Sequence, residues 1–523
     1  MESEPRRAAP WRATLTLCCC MLVHSYLLIS VFPYSGYMAM DLLDLSREEA
    51  GSYAGWLAAS FMLGRALTSV PWGWVADSHG RRTVLVISLA LSAVGSLAFG
   101  LSPTFAAAMS FRFLLGASNG IMGSIKVLVS ELATTEEGEA KTMSLVIGMW
   151  GWGFLISPAI AGFLADPVDQ YSGYFDDEHS SITRILTRYP YLLPNILGSL
   201  LCLMAAAAAL CFVEETLPPE QMQPWSDLIP FRKLLQRLRN CHRVAVLRKQ
   251  SSREQLEQED VEAQSQQSEE SSCEEHVRSP SVLRILQRRA TRISLGVYWT
   301  FSFVGLTVDE AVPLFLLSEV AGFGLAERTI GSLLSVAGLV FAIAQYFVAT
   351  AFYNRFGLIR SIRMGALLSA LILFLVPWSV WMEDGSSLEP GTFVYLALCF
   401  AFYRSMTLVV FSNISVAVNR SVPSEERATT NGLSALGGSV MKGLGPAFAG
   451  YLVTYSVRWC GEYGSLLIFG IIALLGVAVF VASLQMEELP EKEGSTRSAG
   501  SSSGVPATDG DEEEEEEERS LDL

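Results

Sequence analysis

The chain has 523 residues, 50% of them hydrophobic and only 17% charged, with a mean hydropathy of +0.35. A soluble chain of this length would wrap two or three cores in a charged surface, so the composition excludes a soluble enzyme and points to a membrane. The net charge of −16 is concentrated at one place: residues 509–523 carry ten acidic groups against Arg519, which is −9 of the −16. Nine cysteines without regular spacing, three of them adjacent at Cys18, Cys19 and Cys20, form neither a disulfide ladder nor a zinc-finger pattern.

Crossing a hydrocarbon core of about 30 Å takes roughly 20 apolar residues, and in lipid a helix is the form that satisfies its own backbone. Twelve such runs occur, at 13–36, 51–76, 82–102, 105–130, 142–165, 190–213, 293–318, 328–353, 360–382, 391–418, 428–455 and 461–485. They predict an all-α membrane protein with twelve transmembrane helices in two six-helix halves. Arg6, Arg7 and Arg12 precede the first run, but no small-residue cleavage site follows it, so a retained helix is expected rather than a secretory signal. The expected divisions are an arm at 1–12, a first half at 13–213, a linker at 214–292, a second half at 293–485 and a tail at 486–523.

Lys and Arg in the short connections set orientation. Arg6, Arg7, Arg12, Arg81, Arg82, Lys141, Arg355, Arg360, Arg420 and Arg427 fall on one side, against Arg47, Arg184, Arg188, Arg328 and Arg458 on the other. The first side is expected to be cytosolic, with both termini on it. The one sizeable outer connection, 166–189, carries Asp176, Asp177, Glu178 and His179. The linker is basic at both ends and acidic and Ser/Gln-rich from Glu254 to Glu275, a composition expected to stay disordered. Its basic flanks suit either amphipathic helices on an anionic leaflet or ordinary solvated faces. The tail, with seven consecutive Glu at 512–518, is too repulsive to fold. Tail and linker either meet a cytosolic partner or are simply solvated.

The two halves repeat each other. Ser157-Pro158-Ala159-Ile160-Ala161-Gly162 in helix five returns as Gly445-Pro446-Ala447-Phe448-Ala449-Gly450 in helix eleven, and Asp77-Ser78-His79-Gly80 after helix two returns as Asn354-Arg355-Phe356-Gly357 after helix eight. A duplicated six-helix unit with a long linker describes a secondary transporter rocking around a midplane cavity.

The stretch Gly73-Trp74-Val75-Ala76-Asp77-Ser78-His79-Gly80-Arg81-Arg82 resembles the loop signature between helices two and three of the major facilitator superfamily. The resemblance implies that Asp77 accepts hydrogen bonds from a neighbouring helix end and that Arg81 pairs across the half interface, latching the outward-open state. Asn354 replaces the acid in the second half, which implies a weaker latch there. In helix four, Arg112 with Gly116 and Gly120 on one face allows close helix packing and demands a partner for the cation. By resemblance this Arg serves proton coupling; packing and snorkelling are the alternative. The helix-five stretch from Gly148 through Gly153, Ser157 and Pro158 to Gly162 is similar to the motif of drug:proton antiporters, with Ser157 where Gly is usual.

The string from Gly55 through Arg65 to Gly73, with Gly123, Lys126 and Glu131 in helix four, resembles the plant zinc-induced facilitator-like family, itself similar to tetracycline exporters. Val422-Pro423 through Arg427 to Asn431-Gly432, followed by Lys442-Gly443-Leu444-Gly445-Pro446, carries the same resemblance through the second half. It implies proton-driven movement of a metal chelator, an organic compound or potassium. Two departures stand out: the family's Cys-Pro-Gly-Cys element is missing, and Glu214-Glu215-Thr216 lacks the His expected after helix six. No paired His or Cys stands at ligand spacing, so no metal site and no cofactor are expected.

His24, Lys126, Glu131, Asp309, Glu310, Arg404 and Lys442 lie in apolar surroundings, where each would cost on the order of 3 kcal/mol facing lipid, so they are expected to face a cavity or one another. Asp309 and Glu310 are adjacent and therefore about 100° apart on a helix, so at most one points fully into a cavity. Glu310 is favoured, from the resemblance; neutralising Lys126 or Lys442 is the alternative for both. His24 is expected to be a hydrogen-bonded helix histidine. Phe32, Tyr34, Tyr37, Trp150, Trp152, Tyr298, Trp299 and Tyr403 line the path or pack and anchor the helices.

The reading is a monomeric, proton-coupled antiporter exporting a small organic solute or metal chelate, with no nucleic-acid partner, resident in a vacuolar, endomembrane or plasma membrane. The alternatives are a non-transporting sensor of the same fold, or a uniporter or symporter.

Overall fold

The computed structural model describes residues 11–132, 136–175, 180–223, 282–382, 388–423 and 427–487, and all of the regular structure among them is helical. Each apolar run is carried mainly by one helix, broken once in two of them, and the first run extends past the end of its helix at Ile29 into a turn. In the first half these are α1 (Trp11–Ile29), α2 (Ala50–His79), α3 (Arg81–Gly100), α4 (Phe105–Ala117, resumed at Ile121–Leu132), α5 (Glu136–Leu164) and α6 (Leu192–Phe212). In the second they are α7 (Arg289–Leu317), α8 (Glu327–Ala344, resumed at Val348–Phe356), α9 (Leu358–Leu375), α10 (Pro390–Arg420), α11 (Arg427–Cys460) and α12 (Gly464–Ser483). Among the described residues ten segments are long and apolar enough to cross a membrane, and one of these, Thr430–Ser483, contains both α11 and α12. The 30-residue α2 is as long, but Arg65 and its Gly, Ser and Trp content keep it below the same threshold.

Local chemistry sets the boundaries. Thr104 caps α4, its hydroxyl accepting from Ala107 N–H at 3.3 Å, and Pro390 opens α10 where its missing N–H costs nothing. The duplicated loop motif ends each time in a glycine with positive φ, +104° at Gly80 and +77° at Gly357. Both turn one long helix directly into the next through a conformation that side chains disfavour.

Each half has its own apolar core. One gathers Leu17, Phe61, Leu89, Phe99 and Leu115; the other gathers Phe301, Phe315, Ile362, Ile414 and Phe469. Large apolar side chains also cover the outside, among them Val94, Leu203, Val394 and Leu474, a surface that suits lipid and not water. This is an integral, multi-pass membrane protein built of two six-helix halves.

The two ends of the bundle differ. At the linker end, where α6 ends and α7 begins, Thr291 donates to Ser421 O at 3.1 Å and Arg363 donates to Met486 O at 2.8 Å. At the far end, Asp166 N–H donates to Pro190 O at 3.0 Å and Tyr26 donates to Pro194 O at 2.8 Å. The arm before Trp11, linker residues 224–281, the acidic group Asp176 to His179 and the tail from 488 lie outside the described residues, so the expectations placed on them stay as they were.

Candidate functional site

The halves meet along two symmetry-related crossings, and the duplicated Ser157-Pro158 and Gly445-Pro446 motifs form both. A Cβ on Gly162 of α5 would lie 2.5 Å from Glu327 O of α8, and one on Gly331 would lie 2.4 Å from Pro158 O. Equivalently, a Cβ on Gly450 of α11 would lie 2.2 Å from Gly51 O of α2, and one on Gly55 would lie 2.3 Å from Pro446 O. These are backbone-to-backbone contacts that only glycine permits. Two further motif positions work within a half: Gly153 admits Ser25 of α1, and Gly445 admits Phe303 O and Thr307 of α7. Ser157 fits without exposure, so the departure from Gly does not prevent the crossing.

Polar clasps complete the far-end closure. Arg47 pairs with Glu319 at 2.9 Å. Glu48 accepts from the Ser318 hydroxyl at 2.8 Å and from Glu319 and Val320 N–H at 3.1 and 3.2 Å. Tyr37 donates to Leu325 O.

Toward the linker end the halves part. Gly443 still touches Leu63, but further along Leu67 and Val70 are 70% and 67% exposed, with Trp74, Leu436 and Val440 also exposed. Gly73, a latch candidate, has nothing within 4 Å of a Cβ. Among the described residues the expected pairing of Arg81 across the halves is not made: Arg81 pairs with Asp77 at 3.5 Å and Glu131 at 3.1 Å, both in its own half. Glu131 thus belongs to the linker-end cluster and not to the membrane interior, and it also accepts from the Thr216 hydroxyl. The helix-end role expected of Asp77 falls to Glu215 instead, which accepts from Arg81 N–H at 2.8 Å, Thr83 N–H at 3.1 Å and the Thr83 hydroxyl at 3.2 Å. Arg82 donates to Leu210 O, and Asn354 is exposed.

Between the halves, above the opening, lies a narrow cavity of about 20 Å³ lined by Phe32, Phe154, Asp309, Tyr403 and Arg404, room for about one water. Asp309 and Arg404 pair at 2.9 Å, and the Arg404 guanidinium lies 3.6 Å from the centroid of the Phe154 ring in the other half. The favoured assignment is thereby reversed: Asp309 faces the cavity, and Glu310 is turned 100° into the wall. Glu310 is 0% exposed, accepts from the Ser35 hydroxyl of the first half at 3.3 Å, and has its second oxygen unpartnered among the described residues. Arg112 is buried, donates to Leu27 O and Leu28 O at 2.8 and 3.1 Å, and lies over the Phe61 and Phe99 rings. Backbone carbonyls and aromatic faces, rather than an acid, hold this cation. His24 is buried against Trp150, 5.6 Å between centroids, with Asn119 of the α4 break beside it.

Three further cations surround the path. Arg65 of α2 reaches the Met122 sulfur at 3.2 Å, Lys126 of α4 stands one turn further on and is exposed, and the Lys442 ammonium of α11 lies 5.4 Å from the centroid of the Phe411 ring. Arg65, Glu215 and Phe154 are the residues the sequence reading passed over as candidates. The signal for Arg65 was its place in the middle of α2, a cation where lipid cannot neutralise it.

At the far end a second cavity, of about 550 Å³, is lined by Asp41, Asp166, Asp169, Arg188, Tyr189 and Tyr191. Burial pushes the Asp166 carboxyl up from its ordinary value of 3.8, and the Asp169 charge adds to that. Asp41, open to water on one side, is raised chiefly by burial, against the opposing hydrogen bond from Tyr191.

The family model described as Major Facilitator Superfamily matches residues 15–413 and 295–507. The chain is 28% identical over 483 residues to Protein ZINC INDUCED FACILITATOR 1 of Arabidopsis thaliana, covering 91% of this chain and 92% of that protein. It is 25% identical to the major facilitator superfamily multidrug transporter mfsB of Aspergillus fumigatus, covering 95% and 87% of the two chains. Among solved structures, a D-xylose-proton symporter superposes with a TM-score of 0.61 at 15% identity, over 93% of this chain and 99% of its own. The resemblance read from the loop motif therefore stands on the whole membrane portion, and the chain belongs to the major facilitator superfamily of membrane transporters.

Proposed function

We propose that the protein exports a small organic solute or metal chelate from the cytosol in exchange for protons, by alternating access. The observation that carries this reading is the Asp309–Arg404 pair in the cavity, with Arg404 also resting on Phe154 of the opposite half. A carboxylate in a low-dielectric cavity is neutralised either by a proton or by a cation. When Asp309 takes a proton, Arg404 loses its counter-charge, so protonation changes the force between the halves. The far-end glycine crossings supply the closed gate, and the open linker end is the substrate entrance. The Lys and Arg bias supports a cytosolic side for that end and for both termini. The names of the relatives, a zinc-induced facilitator and a multidrug transporter, agree with an organic or chelated cargo. One chain supplies the whole cavity, which favours a monomer.

The experiment is flux into proteoliposomes under an imposed pH gradient, with zinc, zinc chelates, potassium, organic cations and organic anions offered in turn. Gradient-driven accumulation of one member, abolished by Asp309→Asn, is the expected result. Absence of flux for every member across a maintained gradient overturns antiport.

A further inference from the structure

Arg65, Lys126 and Lys442 come from three helices and both halves, and the packing brings them together. Met122 and Lys126 are four residues apart and share one face of α4, and Met122 is the group that Arg65 reaches, at 3.2 Å. On the other side, a Cβ on Gly443 would lie 3.1 Å from Leu63, which sets Lys442 beside the α2 turn that bears Arg65. The three cations feel one another: Arg65 and Lys126 both repel Lys442, and Arg65 repels Lys126. Among the described residues none of the three forms an ion pair. Arg65 has a thioether, a weak acceptor, as its hydrogen-bond partner, and Lys442 has an aromatic face. The nearby Asp309 is already bound to Arg404 at 2.9 Å. On the linker side of the Asp309–Arg404 pair, three cations thus stand without a carboxylate of their own among the described residues.

Such an arrangement is costly without a counter-charge. An intramembrane Lys or Arg is costly even alone, and like charges in a space walled by protein are screened less than at a surface. A bound anion removes this repulsion. An aromatic wall stands beside the cations: Tyr298 and Phe411 meet edge to face with centroids 5.9 Å apart, and Phe411 is the ring that faces Lys442. This wall offers an apolar surface to the body of a ligand whose charged end meets the ammonium groups.

We propose that Arg65, Lys126 and Lys442 form the substrate's docking site and that the cargo is a small organic anion bearing a carboxylate or phosphate, a net-anionic metal chelate included. The site rests on the transport reading above and narrows it: free metal ions, potassium and organic cations are repelled by this cavity. Both halves contribute, Arg65 and Lys126 from the first and Lys442 from the second, so an anion bound between them draws the linker-end walls together. Substrate binding then works in the direction that closes the open end.

The test is equilibrium binding, which needs no flux. Full-length protein in detergent is titrated calorimetrically with benzoate, phenyl phosphate and citrate, and with benzyltrimethylammonium and potassium, at constant ionic strength. At least one anion binds and neither cation does. Arg65→Met, Lys126→Met and Lys442→Met each weaken the anion about tenfold or more, and Lys442→Arg recovers most of the loss. Each Met variant melts, unliganded, at or above the wild-type temperature because one repelling charge is gone, which separates lost binding from lost fold. Binding of a cation in preference to every anion overturns the proposal, as does anion binding indifferent to all three substitutions. Anion binding retained without pH-driven flux leaves this site standing and removes the antiport reading instead.

Discussion

Arg404 is held by groups from opposite halves: its guanidinium pairs with Asp309 of α7 at 2.9 Å and lies 3.6 Å from the centroid of Phe154 of α5. A desolvated cation–π contact is worth about 2 kcal/mol, so this contact is a direct part of the closed interface. Phe154→Leu keeps an apolar wall and removes the ring's charge distribution. It shifts the equilibrium toward an open far end by about 30-fold, since each 1.4 kcal/mol is about tenfold. Labelling of a far-end cysteine by an impermeant reagent reads the shift; unchanged labelling contradicts the role given to Phe154.

The glycine crossings predict steric gating. Gly450→Ala would put a methyl 2.2 Å from Gly51 O, and Gly162→Ala would put one 2.5 Å from Glu327 O. Neither backbone can yield cheaply, and overpacking of this kind costs about 1–3 kcal/mol. Both variants keep the far end ajar and lower transport about tenfold or more, with increased far-end labelling. Gly73→Ala, which meets nothing within 4 Å here, leaves that closure intact.

Asp166 gives the closed far end a pH dependence. Its carboxyl is raised from 3.8 by burial first and by Asp169 second, while Asp41, Tyr191 and Arg188 also line that cavity. Glu327, buried on α8 of the other half, faces the charges of Asp166, Asp41 and Asp169. A raised acid binds its proton more tightly in the closed form than when hydrated, so closure strengthens as pH falls. It weakens as pH rises through the raised value, in a window that starts at 3.8 and runs upward. Asp166→Asn flattens the dependence of far-end labelling on pH. A closure that strengthens with rising pH contradicts the assignment.

Glu215 is a stabilising cap and not a transport residue. It accepts from Arg81 N–H at 2.8 Å and Thr83 N–H at 3.1 Å at the start of α3, where the helix dipole also favours an anion. Glu215→Ala lowers stability by about 2 kcal/mol, measured as a fall in melting temperature, and Glu215→Gln by less. An unchanged melting temperature would remove Glu215 from this role.

The architecture was legible because hydropathy and repetition are chain-local signals. All twelve runs became helices, and the duplicated Ser157–Gly162 and Gly445–Gly450 segments became the two half-to-half crossings. Which of Asp309 and Glu310 faces the cavity was not legible. They differ by one helical step, and the rotation of α7 is set by its packing on α11 and on the Ser35 segment, contacts far away in sequence. The cross-half pairing of Arg81 is expected for the outward-open state; with the linker end open here, Arg81 pairs with Asp77 and Glu131 of its own half. His24 is buried as expected, against Trp150 and beside Asn119 of the α4 break.

Alternating access requires the far end to open in every cycle. Arg47 and Glu319 touch across it at 2.9 Å, so Arg47→Cys with Glu319→Cys places two thiols on opposite lips of the closed gate. Oxidising that pair in proteoliposomes, with the link between the introduced thiols verified by mass spectrometry, is predicted to stop gradient-driven flux, and reduction is predicted to restore it. Full flux through quantitatively cross-linked protein would contradict the account.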